Sequence, residues 1–181
     1  MTLSILPTAG DIRTNAAFEE LMWALARPGL ERRLPTTGFR AIAETLIDRE
    51  CTFHIADDAA LSELLMLTGG KPAAIENADY VFAPLATAED VAMLSGLRIG
   101  TLAYPDEAAT LFASARFGAG QALRLIGPGI RGSLTIRIDG IHPSFWRMRA
   151  NSIHYPLGWD LYVLDGDRLI GIPRSTKIEV L

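Results

Sequence analysis

The chain is poor in the residue types on which much protein chemistry depends. Of its 181 residues one is cysteine and three are histidine, and only Lys71 and Lys177 among its 17 basic residues are lysine. The lone Cys51 excludes an internal disulfide and fits a reducing cytoplasm. His54, His142 and His154 are far apart and form no HExxH or CxxC-type arrangement, so the spacing gathers no metal-ligand set. A Schiff-base cofactor such as pyridoxal phosphate needs a lysine amine held in a pocket. Lys71 follows Gly69-Gly70 in a loop and Lys177 lies in the tail, so neither offers a desolvated amine. A GxSxG elbow is absent as well: Ser133 follows Gly132 without the second glycine, which leaves acyl transfer without a motif. No apolar run reaches the ~18 residues of a membrane span. The start, MTLSILPTAGD, has neither a charged n-region nor a long apolar stretch, so no signal peptide is expected. The net charge of −4 gives no general attraction to nucleic acid or to an anionic membrane.

What remains is the make-up of an ordinary folded domain, 49% apolar and 21% charged. A chain of this length can form one compact domain that buries roughly 70% of its unfolded surface. The basic residues are otherwise 15 arginines. A solvated surface is the simpler reading of them, and pairing of some guanidinium forks with carboxylates or phosphates is the sharper one.

Helical spacing places a first helix after Thr14 or Asn15, with Phe18, Leu21, Met22 and Leu25 on its core face and Pro28-Gly29 as its stop. Trp23 lies off that stripe, about 100° round the helix from Met22. It is either the edge of a wide buried face or an exposed anchor for a partner. A short extended piece LERRL follows, then helices over 39–47 and from Asp57 or Asp58 to Leu67, with the strand CTFHI between them. DYVFA at 79–83 reads as a buried strand, and Thr87 with Asp90 as a capping box for a helix that Gly96 ends. The stretch GTLAYPDEAATLFASA is a turn feeding a strand, and QALRLI and GSLTIRI are strands joined by 127–131. A helix opens at Pro143, and a hairpin of LYVL and RLIGI closes on Asp165-Gly166-Asp167. Helices and strands intermix without repeats or a linker. The expected fold is a single layered α/β domain over residues 1–181, with a mixed sheet flanked by helices.

Two segments carry possible chemistry. GPGIRG follows a strand and superficially suggests phosphate binding, but Pro128 removes an amide and the next residues look like a strand. A tight inter-strand connection is the better reading, with Arg131 keeping an anion role open. Asp160, beside Trp159 at the start of an apolar strand, is a partly buried, hydrogen-bonded carboxylate in expectation. Arg174 in IPRST is the second arginine whose fork suits phosphate oxygens.

Six segments taken in order resemble one family. They are FEELMWALARPG at 18–29, TLIDRECTF at 45–53, ADYVFA at 78–83, GTLAYPDEAATL at 100–111, LRLIGPGI at 123–130, and PLGWDLYVLDGDRLIGIPRSTKIEV at 156–180. Together they resemble the PhnH subunits of the bacterial carbon–phosphorus lyase system, and the last is the most specific. The resemblance implies a fold similar to pyridoxal-phosphate-dependent transferases without the cofactor. It also implies action in a core complex with PhnG, PhnI and PhnJ, and a homodimer in isolation. That complex couples a phosphonate to the ribose of a nucleoside triphosphate, displacing the base, to give a ribose 1-phosphonate 5-triphosphate. The nucleosidase-like step is attributed to PhnI, a radical iron–sulfur subunit later breaks the carbon–phosphorus bond, and no catalytic residue carries over to this chain. Glu19, Trp159 and Ser175 depart from the family pattern, which often has arginine, a small aliphatic residue and threonine there. Two readings follow: an assembly subunit with little chemistry of its own, or a transferase subunit contributing a nucleotide or phosphonate pocket through Arg131 and Arg174. A stand-alone pyridoxal-dependent enzyme is a third and weaker one.

Overall fold

A computed structural model describes residues 6–56 and 58–181. Its centre is a seven-stranded sheet in the order β1-β9-β8-β5-β4-β2-β3. The strands are β1 (Arg32–Arg33), β2 (Thr52–Ile55), β3 (Lys71–Pro72), β4 (Tyr80–Phe82), β5 (Thr110–Ser114), β8 (Asp160–Asp165) and β9 (Arg168–Ile172). β3, β2, β4, β5 and β8 run parallel, while β9 and β1 add antiparallel. The expected mixed sheet flanked by helices is therefore present. It is joined by something the sequence reading lacks, a second antiparallel sheet in the order β10-β6-β7 from β6 (Arg116–Ile126), β7 (Leu134–Asp139) and β10 (Lys177–Val180).

Alternation along the central strands supplies both layers of the core. Val81, Leu111, Leu161, Val163, Ile170 and Ile172 point to one face, where they meet α4 (Ala88–Met93), α5 (Ser144–Ser152) and the small sheet. Phe53, Phe82, Phe112, Tyr162, Leu164 and Leu169 point to the other, against α1 (Ala9–Ala26), α2 (Arg40–Leu46) and α3 (Ala59–Leu67). Burial on both faces is why these strands read as continuous apolar runs. Register places Phe82, Phe112 and Tyr162 side by side, and their rings stack at 4.8 and 5.2 Å between centroids.

The tyrosine ties the ladder to α1, because its hydroxyl donates to the Leu21 carbonyl at 3.0 Å. Helix α1 sits on β9 as closely as a backbone allows: a Cβ on Gly171 would stand 2.6 Å from the Ala24 carbonyl carbon. Small residues make this approach possible, since the buried stripe of Ala17, Leu21 and Ala24 puts an alanine against Gly171.

Several sequence expectations shift here. Helix α1 starts earlier than Thr14 or Asn15, because Thr8 and Asp11 form a reciprocal capping box. Its core stripe is displaced too: Phe18 and Met22 are exposed and Leu25 is half-buried. Asp58 caps α3 through the Leu61 amide, while the alternative, Asp57, lies outside the described residues. Strand β6 begins at Arg116, before Gln121, with a register shift between Phe117 and Gln121. The capping box at Thr87 and Asp90 forms as expected. So does the terminal hairpin, whose Gly166 takes φ +66° between paired Asp165 and Arg168.

At the amino end of the parallel strands, the Asp79 carboxylate accepts from the Thr52 amide and hydroxyl, each at 2.7 Å, and from Arg98. Burial alone would raise its pKa, but the Thr52 hydrogen bonds and the Arg98 guanidinium outweigh it and hold the group below its ordinary 3.8. A depressed carboxylate pKa adds stability above the unfolded-state value of about 4 and loses it as pH falls through the lower folded-state value. Acid titration of folding stability is therefore expected to fall less steeply for Asp79→Asn than for the wild type below about pH 4. Parallel titration curves would refute this assignment.

Candidate functional site

The hairpin β8–β9 brings together two residues that the sequence singles out separately. Leu161 pairs with Ile172, so Asp160 at the head of β8 faces the chain as it leaves β9. Pro173 ends the strand, and Arg174 turns back onto the carboxylate. The Arg174 amide donates to Asp160 Oδ1 at 2.7 Å, Nε to Oδ1 at 3.3 Å and Nη2 to Oδ2 at 3.0 Å. Nη1 donates to the Pro105 carbonyl, which ties the hairpin to the loop before β5. Both side chains are largely shielded, at 17% and 18% exposure. Asp160 is thus the hydrogen-bonded carboxylate expected, and most of the Arg174 fork is spent within the chain.

Beside this pair lies a residue that the sequence did not flag. Arg149, on α5, is only 3% exposed. Its two terminal nitrogens donate to the carbonyls of Thr176 at 3.4 Å, Ile172 at 3.2 Å and Pro173 at 3.0 Å. The guanidinium lies 5.5 Å from the centroid of the buried Trp159 ring. It hydrogen-bonds to carbonyls and to no carboxylate, so burial pushes its pKa down to about 10, only partly opposed by the charge of Asp160.

Among the described residues the Nε of Arg149 has no hydrogen-bond partner, nor do Trp146 Nε1 and Thr176 Oγ1, all of them buried. An orphaned buried polar atom costs about 1–3 kcal/mol, so three in one place call for a reason. All three residues line a cavity of about 370 Å³ between α5 and residues 174–178, together with Arg174, Lys177 and Tyr155. Helical spacing explains one wall: Trp146, Arg149, Ala150 and Ile153 share a face of α5 and of the turn that follows it. The other wall is the chain between β9 and β10.

The remaining candidates lie elsewhere. Arg131, in the connection between β6 and β7, is exposed and has no ion pair or side-chain hydrogen bond among the described residues. That connection leads straight into β7, as a tight inter-strand turn should. Trp23 is 43% exposed on α1, and Ile12, Phe18 and Met22 are exposed on the same outer side of the helix. Trp23 therefore lies outside the buried stripe, with part of its ring turned to the outer side of the helix. The reason is the shifted stripe: with Ala17, Leu21 and Ala24 inward, the large side chains are turned out.

A second cleft, of about 320 Å³, opens at the carboxyl ends of β2, β4 and β5, where open α/β sheets commonly bind ligands. Among the described residues Asp58 is its one charged lining residue, against three cations around the first cavity. Among the described residues no group of three or more His, Cys, Asp or Glu could hold a metal ion, and no helix is long and apolar enough to cross a membrane.

Residues 11–179 match the family model described as bacterial phosphonate metabolism protein (PhnH). The chain is 32% identical over 176 residues to HtxG of Stutzerimonas stutzeri, which carries the name of a C-P lyase subunit protein; the match covers 93% of this chain and 87% of that relative. It is 27% identical over 179 residues to the alpha-D-ribose 1-methylphosphonate 5-triphosphate synthase subunit PhnH of Rhizobium meliloti (strain 1021), covering 91% and 90%.

Proposed function

Since this chain belongs to the PhnH family of bacterial phosphonate metabolism proteins, we propose that it is a subunit of a C-P lyase core complex and works chiefly through its interfaces. In this reading the chain, one domain over 1–181, joins PhnG, PhnI and PhnJ in the cytoplasm and forms a homodimer when they are absent. The assembly couples a phosphonate to the ribose of a nucleoside triphosphate, giving a ribose 1-phosphonate 5-triphosphate. The name of the Rhizobium relative supports that step. In the same reading, the mixed sheet and its flanking helices are a pyridoxal-phosphate-dependent transferase fold put to use without the cofactor.

The observation that carries the reading is the outer face of α1. Ile12, Phe18, Met22 and Trp23 are between 43% and 60% exposed on a helix fixed firmly to the sheet. Rigid, apolar, aromatic surface of this kind is what interface centres are made of. The test is a tagged chain co-expressed with the three other subunits. The wild type is expected to recover all three, and Met22→Glu with Trp23→Glu to recover them at least about 30-fold less well, the cost of losing a hot spot of ~2 kcal/mol. Thermal stability should stay unchanged. A wild-type chain that recovers no partner would sink the reading. A charged variant that recovers all three undiminished would move the interface away from α1.

A second reading is favoured by the cavity beside Arg174: the subunit also contributes a nucleotide or phosphonate pocket to the transferase.

A further inference from the structure

We propose that β7, a border of the small sheet, pairs antiparallel with β7 of a second copy of this chain about a two-fold axis at Thr135, joining the two small sheets into one of six strands. The proposal rests on the homodimer reading and supplies its interface.

Among the described residues no strand pairs with the outer side of β7, which at six residues is the longest border strand of either sheet. A border row of free amides and carbonyls is a template for another strand unless the fold guards it. The large sheet is guarded by borders of only two residues, Arg32–Arg33 and Lys71–Pro72. β7, LTIRID, holds neither proline nor lysine. Its two charged side chains are drawn back towards β6: Arg137 Nη1 donates to the Gly120 carbonyl at 3.1 Å, and Asp139 accepts from Arg116 Nε at 3.1 Å. Its register with β6 runs unbroken from Leu134 to Ile138, and the shift between Phe117 and Gln121 lies beyond that stretch. The border is therefore long, regular and open.

The order of residues along β7 fits its own reverse. An axis normal to the sheet keeps every side chain on its own face and sets one residue opposite its own copy. Centred on Thr135, it places Leu134 opposite Ile136 of the second copy, twice over, and Thr135 opposite Thr135. The half-buried Leu134 and Ile136 share the inner face, where both lie close to Gly29. Leu30, 50% exposed, follows that glycine and puts further apolar surface beside the joint. The same register sets Arg131 beside Asp139 of the second copy at each end, and Arg131 is an exposed cation with no ion pair among the described residues. Other registers do worse. An axis at Arg137 opposes like charges directly, one at Leu134 brings Arg137 against Arg131, and one at Ile136 forms no charge pair. Each β7 is used once, so the pairing closes at two copies.

The test uses the full-length chain carrying Cys51→Ser, in which an introduced cysteine is the sole thiol. Sedimentation equilibrium without an added cysteine is expected to give a dimer with Kd below about 10 μM. Opposed Cβ atoms at position 135 would stand about 5 Å apart, close enough for a disulfide. Arg124, which faces Thr135 from β6 within each copy, would lie three strand spacings, about 14 Å, from its counterpart. Mild oxidation should therefore link most Thr135→Cys chains in pairs and leave Arg124→Cys chains single. Thr135→Lys, which sets like charges opposite, should weaken the dimer at least about threefold. A chain that stays monomeric up to about 100 μM overturns the proposal and the homodimer reading together. A dimer that fails to link through Thr135→Cys overturns the proposal alone and moves the homodimer interface elsewhere, as does one that Thr135→Lys leaves undiminished.

Discussion

Replacing Gly171 by alanine is expected to lower folding stability by about 3 kcal/mol, the upper end of what overpacking a core costs. In most strand interiors the same change would help, since glycine there is worth roughly 0.5–1 kcal/mol less than alanine. The sign reverses here because of what the new methyl group would meet. Its nearest neighbours are main-chain atoms of α1: the Ala24 carbonyl carbon at 2.6 Å, its oxygen at 2.7 Å and the Leu25 nitrogen at 2.9 Å. A side chain could rotate away; a helix backbone cannot. Relief requires α1 to lift from β9, which loosens the Tyr162 hydroxyl on the Leu21 carbonyl and the Gly29 amide on the Gly171 carbonyl. Urea unfolding of Gly171→Ala against wild type measures the loss, and an unchanged midpoint would show that the helix does not sit where described. If α1 shifts without unfolding, recovery of partner subunits should weaken although no surface residue has changed.

The second large effect is expected at Asp160. Asp160→Ala should cost about 3 kcal/mol, because removing one member of a shielded ion pair leaves the other charge uncompensated. Three donors of Arg174 lose their acceptor at once, including a backbone amide. The loss extends beyond the pair, since Arg174 also holds the Pro105 carbonyl ahead of β5 and Asp160 is the carboxylate whose charge favours Arg149. Asp160→Asn keeps an acceptor for the Arg174 amide and should cost roughly half as much. Chemical denaturation of the two variants gives the ranking. Equal stability of Asp160→Ala and wild type would mean the pair is no better than a surface contact.

Much of this architecture is legible from local sequence. The buried strands announce themselves as apolar runs, Thr87 with Asp90 and Asp58 mark helix starts, and Asp165-Gly166 marks the hairpin turn. Errors arise where a tertiary neighbour decides. The apolar stripe Phe18, Leu21, Met22, Leu25 is a good helical pattern and Leu21 is indeed buried, but the close seat of α1 on Gly171 favours the small residues Ala17 and Ala24 beside it on the inner face. β10 is four residues of KIEV behind a turn, with too little alternation to signal a strand until β6 pairs with it. The link between Asp160 and Arg174 could have been found, since the hairpin register alone brings their segments together. Arg149 could not. In SFWRMRANS one arginine looks like the next, and only packing separates the buried Arg149 from the exposed Arg147.

The borders of the large sheet carry a final consequence. Each is a strand of two residues, Arg32–Arg33 on one side and Lys71–Pro72 on the other. Short length, positive charge and an imide nitrogen all discourage a neighbouring molecule from extending the ladder. Extension of the large sheet by an added strand is thereby discouraged at both rims, which leaves β7 and β10, the borders of the small sheet, as the longer edges.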